Sequence, residues 1–376
     1  MKFILKSCFT ILFLIVLQFL TVNPVAAQTE EVSEPQYMEG KVTKVVETGQ
    51  ETLMDDLVPF QQLEIKVTKG QEKGQIITVK NSAATMGMGN VQYQTYEPGD
   101  KVKIVFIEGA EGKQYYLDGE LKKDALIALL VLFVLVVLVV GRIWGALSLL
   151  GLLISFIVIF KLIIPLIIKG TNPVLAAIIG SVIIIPSTFY ISHGFNKKTH
   201  IGVAATFLGL LITGLLAIYF VDASHLTGFA SEEAGFLQVE KEGAMDIKGL
   251  LLAGIIIATL GILDDVTIGQ ASTVKQLKKA NKKMSFSKLF INAMKVGQDH
   301  ISSMVNTLIL VYSGSALPLL LLFFDSEKTF LDVIELELIA EEIVRMLVGS
   351  IGLVLAAPLA TVMAAYVFAK QELGKK

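Results

Sequence analysis

Leu251-Leu252-Ala253-Gly254-Ile255-Ile256-Ile257-Ala258-Thr259-Leu260-Gly261-Ile262-Leu263-Asp264-Asp265-Val266 is a run of hydrocarbon side chains that ends on two adjacent carboxylates. The run alone is almost long enough to cross a bilayer, which takes about 20 apolar residues. A charge in hydrocarbon costs at least about 2.5–3.5 kcal/mol, so acidic residues there are rare and face protein or water. The stretch therefore sets the fold class, a helical membrane protein, and the question of what Asp264 and Asp265 do.

Working outward, six more apolar segments are long enough to span. The full set is 124–141, 144–168, 172–192, 201–221, 248–270, 300–324 and 343–369. The first two meet at a tight Gly141-Arg142 turn. Composition agrees: 53% of the 376 residues are hydrophobic and the mean hydropathy is +0.67. Only 18% are charged, against about 25% in soluble domains. A net charge of −2 gives no field for nucleic acid. The one cysteine, Cys8, excludes a disulfide framework and a thiolate metal site.

Ahead of the spans lies a different texture. Residues 1–27 read as a secretory signal: Lys2 and Lys6, then an apolar core from Phe9 to Leu20, then Val25-Ala26-Ala27 before Gln28. An uncleaved anchor is the competing reading. Residues 28–120 alternate apolar and polar in short runs at 40–46, 63–67, 75–79 and 101–106, with turn signals at Lys69-Gly70, Lys73-Gly74, Pro98-Gly99-Asp100 and Glu108-Gly109. One apolar face per strand argues a small antiparallel barrel or sandwich, and an OB-like β-barrel fits. Residues 121–376 form the transmembrane helical domain.

Charge sets the expected orientation. Lysines gather in loops 193–200 and 271–298 and at Lys375-Lys376, while 222–247 and 325–342 are acidic. Lys and Arg favour the cytoplasmic side. The β domain is then extracellular and the C-terminus cytoplasmic. In loop 271–298, Phe286, Leu289, Phe290, Ala293 and Met294 recur at helical spacing between Lys288 and Lys295. This reads as an amphipathic helix on the inner leaflet or as a plain basic loop.

In that frame Asp264 lies roughly 22 Å along its span at about 1.5 Å per residue, in the cytoplasmic third of a core about 30 Å thick. The next span enters from that side, which places Asn306 about 10 Å deep by the same rise. Asp299, Ser302, Ser303 and Asn306 fall on one helical face. That face is expected to meet Asp264, Asp265, Thr267 and Gln270. The candidate ion- or solute-binding set is Asp264, Asp265, Thr267, Gln270, Asp299, Ser303 and Asn306. Carboxylates, an amide and hydroxyls suit a proton, Na⁺ or another hard cation; capping and interhelical bonding are the structural alternative. Neighbours on a regular helix diverge by about 100°. Either the helix breaks near Gly261 and Gly269 to aim both carboxylates at one cavity, or each has its own partner. Arg345 is expected to pair with Glu341 and Glu342. His193, His200 and His300 keep a metal site open as a minor alternative.

No phosphate-cradling glycine loop, nucleophile elbow or zinc-protease helix occurs. An enzyme is not expected, nor a cofactor. The expected partners are the lipid bilayer, a cation or small solute, and a second copy of the chain.

Gly261-Ile262-Leu263-Asp264-Asp265-Val266-Thr267-Ile268-Gly269-Gln270-Ala271-Ser272 resembles a block of the YibE/F family of bacterial multi-pass membrane proteins. So does Gly297-Gln298-Asp299-His300-Ile301-Ser302-Ser303-Met304-Val305-Asn306-Thr307-Leu308, on to Leu317-Pro318-Leu319. The resemblance runs from the exported domain through the last span. It implies plasma-membrane placement and an uncharacterised role, sometimes taken as transport, and brings no catalytic residues with it. A transporter or channel-like protein is the expected function; the alternative is a scaffold or regulator whose exported β domain binds an envelope partner.

Overall fold

The computed structural model describes residues 36–53, 56–82, 94–109, 112–324 and 329–370. The expected signal segment 1–27, Asp325, Glu327 and the terminal lysine pair lie outside the described residues. The chain divides into two units, one of residues 23–136 and one holding 137–376.

The first unit carries five antiparallel strands: β1 (Gln36–Leu53), β2 (Asp56–Lys69), β3 (Ile76–Ser82), β4 (Lys101–Gly109) and β5 (Gly112–Glu120), in the order β3-β2-β1-β4-β5. β1 is long because it serves two partners. Its first third pairs with β4, Met38 opposite Ile104, while the stretch from Glu39 on pairs with β2, Val42 opposite Ile65. Bulges follow Val42 and Val45 and bend the strand, and β3 and β5 come into contact. The alternating residues Met38, Val42, Leu63, Ile65, Val79, Val102, Ile104 and Phe106 form the core. Gly40 is where β1 presses on it: a Cβ there would overlap the Ile65 side chain. β5 escapes the sequence pattern, since Lys113-Gln114-Tyr115-Tyr116-Leu117 has no clean alternation.

The second unit is helical. α1 (Lys123–Val158), whose first residues belong to the first unit, contains one non-helical residue, Arg142, at φ 49°, ψ −134°. A Cβ on Gly145 would overlap the carbonyl oxygen of Val137. A straight helix separates those positions by about 12 Å, so the chain bends back sharply at Arg142. A π-turn over Ile159–Ile163 precedes Pro165 and leads into α2 (Ile164–Ile168). α3 (Pro173–His193) starts on Asn172, whose side chain accepts from the Leu175 amide at 3.2 Å. α4 (Lys197–Ala223) is capped by Asn196, and α5 (Glu232–Glu240) by Ser231. α6 (Ile247–Ala280) begins on Asp246, which accepts from the Gly249 amide at 2.8 Å. α7 (Phe286–Ser315), α8 (Leu317–Phe324), α9 (Phe330–Ile334) and α10 (Glu337–Ala369) complete the unit.

Among the described residues five helices are long and apolar enough to cross a membrane: Lys123–Ile168, α3, α4, α6 and α10. Seven were expected. Two of those, 124–141 and 144–168, fall in the one 46-residue stretch Lys123–Ile168. The expected span 300–324 is divided between α7 and α8 at Ala316, and α7 is too polar in its first half to rank with the five.

α4, α6 and α10 pack on one another, with α3 and α7 against them. Lipid gives helices no hydrophobic drive to associate, so close approach must come from small residues. α10 supplies Gly349, Gly352, Ala356, Ala357, Ala360 and Ala364, all buried. A Cβ on Gly352 would overlap Thr213 Oγ1 of α4. Most of the 271–298 stretch is helical. α6 continues to Ala280, and Leu289 and Ala293 of α7 are buried with Ala364, Ala365 and Phe368 of α10. The apolar face expected to meet lipid packs on the bundle.

Candidate functional site

α6 runs unbroken through Asp264-Asp265, and Gly261 and Gly269 have open space around them. Of the two alternatives, a helix break or separate partners, the break is absent, and the continuous helix keeps its backbone bonds satisfied, as lipid demands. The two carboxylates therefore diverge.

Asp264 turns inward. It lines a cavity of about 200 Å³ between α1, α3 and α6, together with Ser148, Ser155 and Thr188. Asp264 Oδ1 is buried and has no hydrogen-bond partner among the described residues. Ser155 donates to the Gly151 carbonyl at 3.1 Å and Thr188 to the Ile184 carbonyl at 3.0 Å. These two hydroxyl protons are thus engaged by their own helices, which leaves oxygen lone pairs as what Ser155 and Thr188 offer. A carboxylate facing hydroxyl lone pairs suits a cation or a proton on the carboxylate.

Asp265 turns outward. Its side chain is 70% exposed, and its Oδ2 lies 3.8 Å from His300 Nε2 of α7, a pairing that carries charge only when the imidazole is protonated.

Thr267 and Gln270 are buried and bonded between helices. Thr267 Oγ1 lies 2.7 Å from Thr206 Oγ1 of α4. Gln270 Oε1 accepts from Thr361 Oγ1 of α10 at 3.0 Å. Gln270 also marks the crossing of α7, where a Cβ on Gly297 would stand 2.6 Å from its Nε2. Both residues hold α4, α6, α7 and α10 in register at the level of the aspartates.

Asp299, Ser302, Ser303 and Asn306 share one face of α7 as expected, but that face is exposed and does not meet α6. Helix packing uses the opposite face, through Leu289, Ala293, Gly297 and Leu308. Gly297 decides this: two helices approach most closely where a side chain is missing, and that turns the polar stripe away.

Sequence reasoning sought the partners of Asp264 on the following helix and missed Ser148, Ser155 and Thr188. Their signal was faint: Ser148 and Ser155 at i and i+7, hydroxyls on one face of an apolar segment. Arg345 pairs with Glu342 at 2.6 Å; no bond joins it to Glu341 among the described residues. His200 Nδ1 bonds Tyr190 at 2.8 Å and His300 approaches Asp265, so the three histidines do not converge. Among the described residues no group of three or more His, Cys, Asp and Glu is placed to hold a metal.

A family model described as YibE/F-like protein matches residues 129–370. The match takes in the aspartate pair and the polar stripe of α7 but stops short of the five strands, a narrower reach than the sequence blocks imply. No curated protein matches, and no solved structure does.

Proposed function

This chain belongs to the YibE/F-like family, and from that premise we propose that it carries a small cation or solute across a bacterial plasma membrane, with Asp264 as the binding or coupling carboxylate. The observation that carries this reading is the unpartnered Oδ1 of Asp264 beside a cavity whose other polar groups are hydroxyls. An unpaired carboxylate at membrane depth is expensive, so it is kept for something that binds it. Asp265, exposed and facing His300, would serve at the mouth of the route. Thr267 and Gln270 would fix the helices around it. No reaction is assigned: the site holds no nucleophile and base in contact.

The family match favours this reading over a scaffold built on the β domain, because it lies over the helices. The same proposal includes seven crossings: two from Lys123–Ile168 turning at Arg142, one each from α3, α4, α6 and α10, and one from α7 with α8. It sets the β domain outside after removal of 1–27, and loops 193–200 and 271–298 and the C-terminus inside, as the lysines favour. The strand order, with β1 between β2 and β4 and β3 meeting β5, supports an OB-like barrel for the exported domain.

Proteoliposomes test the transport reading. With Na⁺, K⁺ and proton gradients in turn, Asp264→Asn is expected to lower flux at least tenfold and Asp265→Asn by a smaller factor. Unchanged flux in both variants would remove the aspartates from the mechanism.

A further inference from the structure

A second carboxylate in the helical unit is buried with one oxygen unbonded, and nothing above uses it. Glu341, in the second turn of α10, is 7% exposed, and its Oε1 has no hydrogen-bond partner among the described residues. Its carboxylate meets the backbone amide of Ala230. The nearby Arg345 attracts it through space but forms its ion pair with Glu342.

Glu341 lines a cavity of about 340 Å³ between the 228–231 segment, α5, the start of α6 and α10. That volume falls in the range of small-molecule sites, about 300–1,000 Å³. The remaining wall joins hydrocarbon from Leu237, Ile247, Leu250, Leu251 and Leu338 to the charged groups of Glu233, Glu342 and Arg345, so that three carboxylates face one guanidinium. The segment over it is held in place: Glu337 Oε1 accepts from the Thr227 amide at 2.6 Å and from the Gly228 amide at 3.2 Å. Leu251 and Asp264 are about 20 Å apart along α6 by the helical rise, so this cavity is separate from the one described above.

The wall chemistry selects the ligand. A buried carboxylate with one oxygen unbonded, in a wall of three carboxylates and one guanidinium, calls for a positive charge. Hard divalent metals take six or more oxygen ligands, and among the described residues no group of three or more His, Cys, Asp and Glu is placed to hold one. We propose that this cavity is a binding site for a small organic monocation, an ammonium head on Glu341 with its apolar body against Leu237, Leu250 and Leu338. Ammonium groups on a hydrocarbon body match both halves of the wall.

Calorimetry on the full chain in nanodiscs tests this, with empty nanodiscs subtracted. The probes are n-butylammonium, tetraethylammonium, the neutral isostere 1-butanol, and Ca²⁺. The expected result is saturable binding of at least one ammonium, at least tenfold tighter than 1-butanol, and weakened at least tenfold by Glu341→Gln. Leu338→Trp, which fills the cavity and keeps the carboxylate, is expected to remove binding. The proposal is overturned if neither ammonium binds, if 1-butanol binds as tightly, if Ca²⁺ binds more tightly than both ammonium ions, or if Glu341→Gln binds as the unmodified chain does. The comparison with 1-butanol needs no variant and decides the matter even if the substituted chains misfold.

Discussion

At the residue scale, two glutamates and two aspartates behave differently for reasons that lie in their neighbours. Asp264 and Asp265 are adjacent, and a regular helix sends one into a cavity and the other to the surface. Glu72 shows a carboxylate in the opposite state from Glu341. It is nearly buried in the β domain, yet it accepts from Lys113 Nζ at 2.7 Å and from the Tyr115 hydroxyl at 2.9 Å. The Lys113 hydrogen bond, with a smaller contribution from Tyr115, holds its carboxyl below the ordinary range. A carboxyl with a depressed folded-state pKa stabilises above its unfolded value, about 4.3, and that stabilisation is lost as the pH falls through the folded value. Hydrogen-exchange protection of 36–120, corrected for intrinsic rates, should therefore drop in acid more steeply in the unmodified chain than in Glu72→Gln. At neutral pH the variant should be the less protected of the two.

At the element scale, α6 decides the site. Its continuity means that Gly261 and Gly269 are not a hinge. Gly269 has open space around it, and alanine in a helix interior is favoured over glycine by about 1 kcal/mol. Gly269→Ala should leave flux unchanged and raise, or leave alone, the thermal midpoint in detergent. A loss of flux with intact folding would show that α6 does open there. α7 carries a second lesson. Its spacing gave the polar stripe of Asp299, Ser302, Ser303 and Asn306 without error. Which way the stripe faces was set by Gly297, whose missing side chain draws the opposite face onto Gln270.

At the scale of the whole molecule, the polar face of α7 and the acidic and basic loops make testable demands. Polar groups at membrane depth need partners, and the homo-oligomer expected from sequence would supply them by setting two copies of this stripe together. Replacing Cys8 by serine allows one cysteine to be introduced at a time. Ala244→Cys and Lys282→Cys, both on exposed positions, should label from opposite sides of sealed vesicles, Ala244→Cys from outside. Ser303→Cys should cross-link two copies under mild oxidation. Labelling of both loop positions from one side would overturn the proposed orientation, and the absence of a cross-linked pair would remove α7 from the interface.

The sequence by itself determined which segments are apolar, which helical faces are polar, and that two adjacent carboxylates end an apolar run. These are one-dimensional properties, because hydropathy and spacing follow from side-chain chemistry and the period of the helix. It could not settle β5, whose alternation is poor, nor the depth to which α6 and α7 continue past the apolar core, since a basic amphipathic stretch reads alike as loop or helix. Tertiary structure alone decided which residues meet. Asp264 joins Ser148, Ser155 and Thr188 because α1 and α3 pack beside it. Thr267 and Gln270 are tied to Thr206 and Thr361 because α4 and α10 cross there. Each outcome depends on helix packing, and that is fixed by small residues such as Gly297 and Gly352, where the absence of a side chain lets one helix close on another.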